Sequence, residues 1–129
     1  MPVPTVATYS VDALIAAHTA LRNLIDSGSS AGRIDIRGEA LELLATVPLS
    51  SPAGTINGST GQFTLSIAAV GSAAYSGTAA YAEVVDGNNA VHLALPAQAG
   101  TAAVAGKVVL NSLSIVAGTE VSVASAVIG

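Results

Sequence analysis

The sequence has no cysteine and no tryptophan, and three Tyr and one Phe are its only aromatic residues. Without cysteine there can be no disulfide framework, no thiolate nucleophile and no cysteine-ligated zinc. Charged residues make up only 9% of the chain, and four of them are basic: Arg22, Arg33, Arg37 and Lys107. Binding to nucleic acid requires clustered Lys and Arg that neutralise phosphates. The composition therefore argues against a nucleic-acid partner.

Long apolar runs are also missing, because Gly, Ser, Thr or Asn interrupts each of them. A membrane-spanning helix needs about 20 consecutive apolar residues, so no membrane span is predicted. Residues 1–10 lack the basic start and the apolar segment of a secretory signal. A length of 129 residues corresponds to one domain. We expect one soluble domain over residues 10–129, made in the cytoplasm.

Charge is absent from two long segments. Residues 43–82 and 87–106 contain no Asp, Glu, Lys or Arg. A small domain has a high ratio of surface to volume, so these segments cannot all be core. Interface cores are depleted of Lys, Glu and Asp. The sequence therefore predicts a homo-oligomer, with a trimer favoured, or a subunit of a larger scaffold; the alternative is a monomer kept soluble by hydroxyl groups and a net charge of −4.

Residues 1–9 are predicted to form an extended N-terminal arm, because two prolines fix the backbone near the polyproline conformation. Nine extended residues reach about 28 Å, enough to cross onto a neighbouring subunit. A frayed tail is the alternative. The candidate interface residues are Pro2, Val3, Pro4, Val6, Tyr9 and Tyr75.

The period of the apolar residues changes once along the chain. Apolar residues recur at steps of three and four over 10–26, which predicts a helix with Ser10 as N-cap. After Gly32 the period is two, and turn residues recur about every ten positions, with Asp86-Gly87 as a hairpin signal. The fold class is therefore predicted as mainly β: an antiparallel β-sandwich or jelly roll over 33–128, with one N-terminal helix and an extended N-terminal arm.

No residue pattern indicates chemistry. His18 lies on the apolar stripe of the helix, which favours a packed or interface histidine, and His92 is predicted to face away from Val91 and Leu93. Asp35 and Glu42 alternate with apolar neighbours, which marks solvated strand positions. Serines lack the G-x-S-x-G context, and the Gly-rich segments lack the lysine of a phosphate loop. We predict no catalytic residue, no metal and no cofactor.

Several short motifs resemble a family of small tailed-bacteriophage virion structural proteins. The residues that carry the resemblance are Ala20-Leu21-Arg22-Asn23-Leu24-Ile25-Asp26, Gly32-Arg33-Ile34-Asp35-Ile36, Leu43-Leu44-Ala45-Thr46-Val47-Pro48-Leu49-Ser50, the Asp-Gly hairpin within 77–88, and Ile115-Val116-Ala117-Gly118. Together they cover most of residues 20–127. The chain departs from the family by its short Gly38-Glu39-Ala40 segment and by its proline-bearing arm.

The resemblance implies a non-enzymatic virion component. Within virions we favour a capsid decoration (cement) protein on the outside of the head, with the major capsid protein as partner. A tail or fibre-associated subunit is the alternative. A host-glycan-binding module is a third hypothesis, and it requires Tyr9, Tyr75 or Tyr81 beside carboxylates in a cleft.

Overall fold

The computed structural model describes residue 3 and residues 8–129. The described part contains one helix and eleven strands. Their bounds are α1 (Val11–Ile25), β1 (Arg33–Arg37), β2 (Leu43–Ile56), β3 (Phe63–Ile67), β4 (Gly71–Ala73), β5 (Gly77–Thr78), β6 (Tyr81–Val85), β7 (Val91–Ala99), β8 (Lys107–Leu110), β9 (Ser114–Ile115), β10 (Glu120–Val121) and β11 (Val123–Ile128). The predicted arm, apart from residues 3, 8 and 9, lies outside the described residues. No described helix is long and apolar enough to span a membrane.

Seven strands close into a barrel. Their order is β1, β6, β7, β8, β11, β3 and β2, and β2 pairs again with β1. The prediction of a mainly β domain with one N-terminal helix is confirmed, and the strands form a closed barrel where a sandwich or jelly roll was expected. The expectation of antiparallel pairing holds around the ring except between β7 and β8, which run parallel.

Two long strands turn the corners of this barrel. β2 pairs with β1 through Pro48 and with β3 from Leu49, and its register with β3 shifts between Leu49 and Gly54. β7 pairs with β6 through Pro96 and with β8 from Ala97. Pro52 lies within the irregular part of β2. Because proline has no N–H to donate, it suits positions where a strand changes partners. Residues 51–54, expected as a turn, are therefore part of β2.

The barrel interior holds the alternating apolar residues of the strands. Inward positions are fully buried, while many outward positions are small or polar. The largest buried side chains are Phe63, Ile25, Ile34, Ile36, Leu44, Leu49, Leu110, Val47, Val84 and Val108. Phe63 is the one buried Phe or Tyr of this core, so aliphatic Ile, Val, Leu and Ala side chains fill most of the interior.

Helix α1 covers the end of the barrel where β1 and β3 begin and β11 ends. The Ser10 side chain accepts a hydrogen bond from the backbone N–H of Ala13 at 3.1 Å, which caps the first turn. Ile25 is fully buried against Gly32, which precedes β1. His18 packs against the Phe63 ring at the start of β3. The short strands β4, β5, β9 and β10 lie at the opposite end.

Candidate functional site

The described candidate interface residues are exposed but lie apart. Val3 is 94% exposed, Tyr9 is 71% exposed and Tyr75 is 65% exposed. Tyr9 precedes α1, whose first turn packs against Gly61 beyond the end of β2. Tyr75 donates its backbone N–H to Leu44 at the start of β2. The two tyrosines therefore lie at opposite ends of the barrel. Pro2, Pro4 and Val6 lie outside the described residues.

Charged groups are concentrated on one side of the barrel, which we name the charged wall. It consists of outward side chains on β1, β6 and β7 and of the turn between β6 and β7: Arg33, Asp35, Arg37, Glu83, Asp86 and His92. Arg33 pairs with Asp35 at 3.0 Å, and Arg37 pairs with Glu83. Most of these charges are thus neutralised by neighbours within the wall.

Asp35 is buried, so the prediction that it occupies a solvated strand position is wrong. Its Oδ1 accepts hydrogen bonds from Arg33 Nε at 3.0 Å and from the Thr46 hydroxyl at 3.3 Å. These two neighbours on the outer face cover the carboxylate, which is 3% exposed. Alternation along β1 correctly placed Asp35 on the outer face, but outer residues of adjacent strands contribute to burial as well.

The turn between β6 and β7 is organised by Asp86. The carboxylate accepts hydrogen bonds from the backbone N–H groups of Asn88 at 2.8 Å and Ala90 at 3.0 Å. Its other oxygen lies 2.8 Å from His92 Nε2. The hydrogen bond from His92, and then that from Ala90, holds the pKa of Asp86 below its ordinary value. Among the described residues His92 hydrogen-bonds only with Asp86, so the pair fixes the turn.

His18 has a packing role at the helix end. Its Nδ1 lies 2.6 Å from the carbonyl oxygen of Gly61, and its ring centroid lies 5.9 Å from that of Phe63. A carbonyl oxygen only accepts, so Nδ1 carries the proton. His18 lies on α1, and His92 lies on β7. No group of three or more His, Asp or Glu side chains in the described chain is placed to hold a metal ion.

A second surface lies at the end of the barrel opposite α1, and we name it the loop end: residues 38–42, 74–78 and 113–120. Its segments are tied together by hydrogen bonds. The backbone N–H of Ala117 donates to the Ser76 hydroxyl at 2.9 Å, and that of Ala80, just past 74–78, donates to the Arg37 carbonyl at 2.9 Å. Strands β5 and β9 pair within it. These bonds hold the three segments as one surface.

The loop end presents apolar side chains to solvent. Leu41 is 66% exposed, Tyr75 is 65% exposed and Val116 is 53% exposed. Of these three residues only Tyr75 was predicted at an interface. Leu41 has φ +68° in the turn before β2. A non-glycine residue in that region is uncommon, and no local sequence pattern indicates it.

The rest of the barrel exterior carries little charge. The outer positions of β3 are occupied by Thr64 and Ser66, the Ser125 hydroxyl on β11 is buried, and the sole charged residue of β8 is Lys107. Its ammonium donates to Gln98 Oε1 at 2.9 Å. We name this side, formed by β3, β8 and β11, the neutral wall. The uncharged segments of the sequence thus supply both core and exterior.

The described residues form no pocket. Tyr81 is half-buried on β6, and the exposed Tyr75 projects from a loop. Comparison of the chain with protein-family models, curated proteins and solved structures gave no match.

Proposed function

We propose that this chain is a structural, non-enzymatic subunit that binds other protein subunits through the parts of its exterior that carry no ion pair, as a decoration protein on the outside of a phage head. The observation that carries the proposal is that the ion pairs of the described residues lie together on the charged wall. Ion pairs are gathered on the charged wall, while the neutral wall and the apolar centre of the loop end are almost free of them. Removing neutral and apolar surface from water carries a small desolvation cost, which favours contact with other subunits.

The closed barrel restricts how such contacts form. In the described part, every strand of the ring has a partner on both sides over at least part of its length, and the strands at the sheet ends, β10 and the β5–β9 pair, are two residues long. Strand addition by a neighbour or by an arm can therefore gain few main-chain hydrogen bonds there. The contacts that we propose are made mainly by side chains of the neutral wall and the loop end.

A standard interface would cover a modest share of the surface. A standard interface buries about 800 Å² on each partner. That is roughly an eighth of the 6690 Å² of accessible surface of the domain. Repetition over many equivalent sites on a head would convert a modest local affinity into strong retention.

The test is to locate the chain in particles whose genome encodes it. Mass spectrometry of purified particles should detect the chain in many copies, and cryo-EM should place its density outside the head shell. Density on the tail or fibres would contradict the decoration role and support the alternative, a tail or fibre-associated subunit. Absence of the chain from purified particles would contradict the proposed function.

A further inference from the structure

The segments that form the loop end carry three carboxylates beside their exposed apolar residues. Glu39 and Glu42 flank Leu41 in the turn before β2, and Glu120 follows the turn that contains Val116. All three glutamates are exposed. Within the described residues none of them lies within ion-pair distance of a Lys, Arg or His side chain. The loop end therefore combines three apolar side chains with a formal charge of −3.

The nearest basic side chain does not neutralise this charge. Arg37 precedes the turn, but its Nε pairs with Glu83 on the charged wall. Its Nη1 donates to the Leu41 carbonyl oxygen at 3.0 Å, which ties the turn to the barrel. The guanidinium is thus already bonded twice, and neither bond is to Glu39 or Glu42. Unpaired carboxylates around an apolar centre are complementary to a basic surface with an apolar centre of its own.

A second copy of this chain does not offer such a surface. Of its four basic residues, Arg33, Arg37 and Lys107 already bond to acceptors within the same domain. Only Arg22 on α1 remains, and Asp12 and Asp26 lie on or at the end of the same helix. Pairing two loop ends face to face would bring six carboxylates together, which is repulsive. The partner of the loop end is therefore a different protein.

We infer that the loop end is the attachment face of this chain, and that it docks on a protein surface where Lys or Arg side chains surround an apolar contact. This inference rests on the proposed function and specifies the chemistry of the head surface that the subunit would bind. Tyr75 and Leu41 fill the centre of the contact. Glu39, Glu42 and Glu120 fix its orientation and increase the association rate.

The test uses particles assembled without the gene for this chain, to which labelled full-length protein is added back. The variant Leu41→Ser/Tyr75→Ser should lower the affinity at least about 10-fold, because it removes the centre of the contact. The variant Glu39→Lys/Glu42→Lys should lower it by a similar factor and reduce the salt dependence of binding. The matched controls are Leu24→Ser, which is 49% exposed on α1, and Asp12→Lys on the same helix. Both controls should bind within about 2-fold of wild type.

Melting curves establish first that every variant is folded. If the wild-type protein binds the particles and the loop-end variants bind with the same affinity, this inference is overturned. The proposed function would then still stand. Loss of binding only in the apolar variant, with no effect of charge reversal or salt, would overturn the basic character of the partner. If sedimentation analysis shows that loop-end variants lose self-association, the occupant is a second copy and the inference is wrong. Failure of wild type to bind at all would overturn the proposed function and the inference with it.

Discussion

Asp86 Oδ2 lies 2.8 Å from His92 Nε2, and this contact joins the first residue of the β6–β7 turn to the second residue of β7. The same turn meets the segment after α1: the backbones of Gly28 and Gly87 approach so closely that a Cβ on Gly28 would lie 2.6 Å from Gly87 Cα. Ser29 donates its backbone N–H to the Asn88 side chain at 3.4 Å. The Asp86–His92 pair therefore stabilises the position of the helix as well as its own turn.

Protonation of Asp86 should destabilise the protein in acid. Its pKa is lowered in the folded state chiefly by the hydrogen bond from His92. Asp86 therefore stabilises the fold above its unfolded-state pKa of about 3.9, and this stabilisation is lost as the pH falls through the lower folded-state pKa. Urea unfolding from about pH 5 to about pH 2 should show a smaller loss of stability for Asp86→Asn than for wild type. Glu39→Gln is the control, and an equal pH dependence of Asp86→Asn and wild type would contradict the assignment.

Phe63 should contribute far more to stability than the exposed aromatic residue Tyr75. Phe63 is fully buried against His18 and the barrel core. Phe63→Ala should lower the free energy of unfolding by about 3–5 kcal/mol, because it leaves a cavity. Tyr75→Ala should change it by less than about 0.5 kcal/mol. Chemical denaturation followed by circular dichroism measures both values; similar losses for the two variants would show that Tyr75 is packed in solution.

Two glycines of the β2–β3 turn provide a matched pair. Gly61 has φ +76°, and a Cβ there would lie 2.6 Å from Leu14 Cβ on α1. Gly61→Ala should therefore cost at least about 1–2 kcal/mol from the backbone conformation alone, with displacement of the helix in addition. Gly58→Ala meets no heavy atom within 4 Å and should be neutral within about 0.5 kcal/mol. Equal melting temperatures for the two variants would mean that α1 does not pack on this turn.

Deletion of residues 2–8 should weaken association without unfolding the domain. Among the described residues, none of the buried apolar residues of the core precedes α1. We expect a change in melting temperature of less than about 2 °C. Light scattering of the full-length protein should show a homo-oligomer, with a trimer favoured, and the truncated protein should dissociate at higher concentration. A truncated protein that assembles and binds particles as well as the full chain would contradict a role of the arm in attachment.

The elements with a local signal were predictable from the sequence. The spacing of apolar residues gave α1 to within one residue at each end, and Asp86-Gly87 correctly indicated the turn before β7. Closure of the barrel had no local signal, because it depends on β1 meeting β6 and on β3 meeting β11. Pro52 and Pro96 resembled breaks in the chain, yet they lie within the two strands that change partners.

The sequence allowed us to predict that the exterior has little charge, but not which residues form the candidate site. The uncharged segments indicated an exterior with little charge, and Tyr75, predicted at an interface, is exposed. The loop end itself was missed, because its segments come from three separate parts of the chain. Leu41 fits the alternation of β2 in sequence, and only the positive φ of the turn moves it to the surface. Asp35 is buried by side chains from its own and an adjacent strand, which alternation within β1 cannot indicate.

Closure of the seven-stranded ring also determines when the chain can fold. The pair that joins β3 to β11 includes Phe63 and Ile128, while β1 and β2 are neighbours along the chain. Contacts between residues so distant in sequence slow folding, and β-barrels dominated by such contacts fold in about milliseconds to seconds. On the ribosome, the β1–β2 and β6–β7 hairpins can form early, but the ring cannot close before β11 has emerged. Until then the apolar inner faces remain open, so the nascent chain is at its most aggregation-prone just before synthesis of β11 is complete.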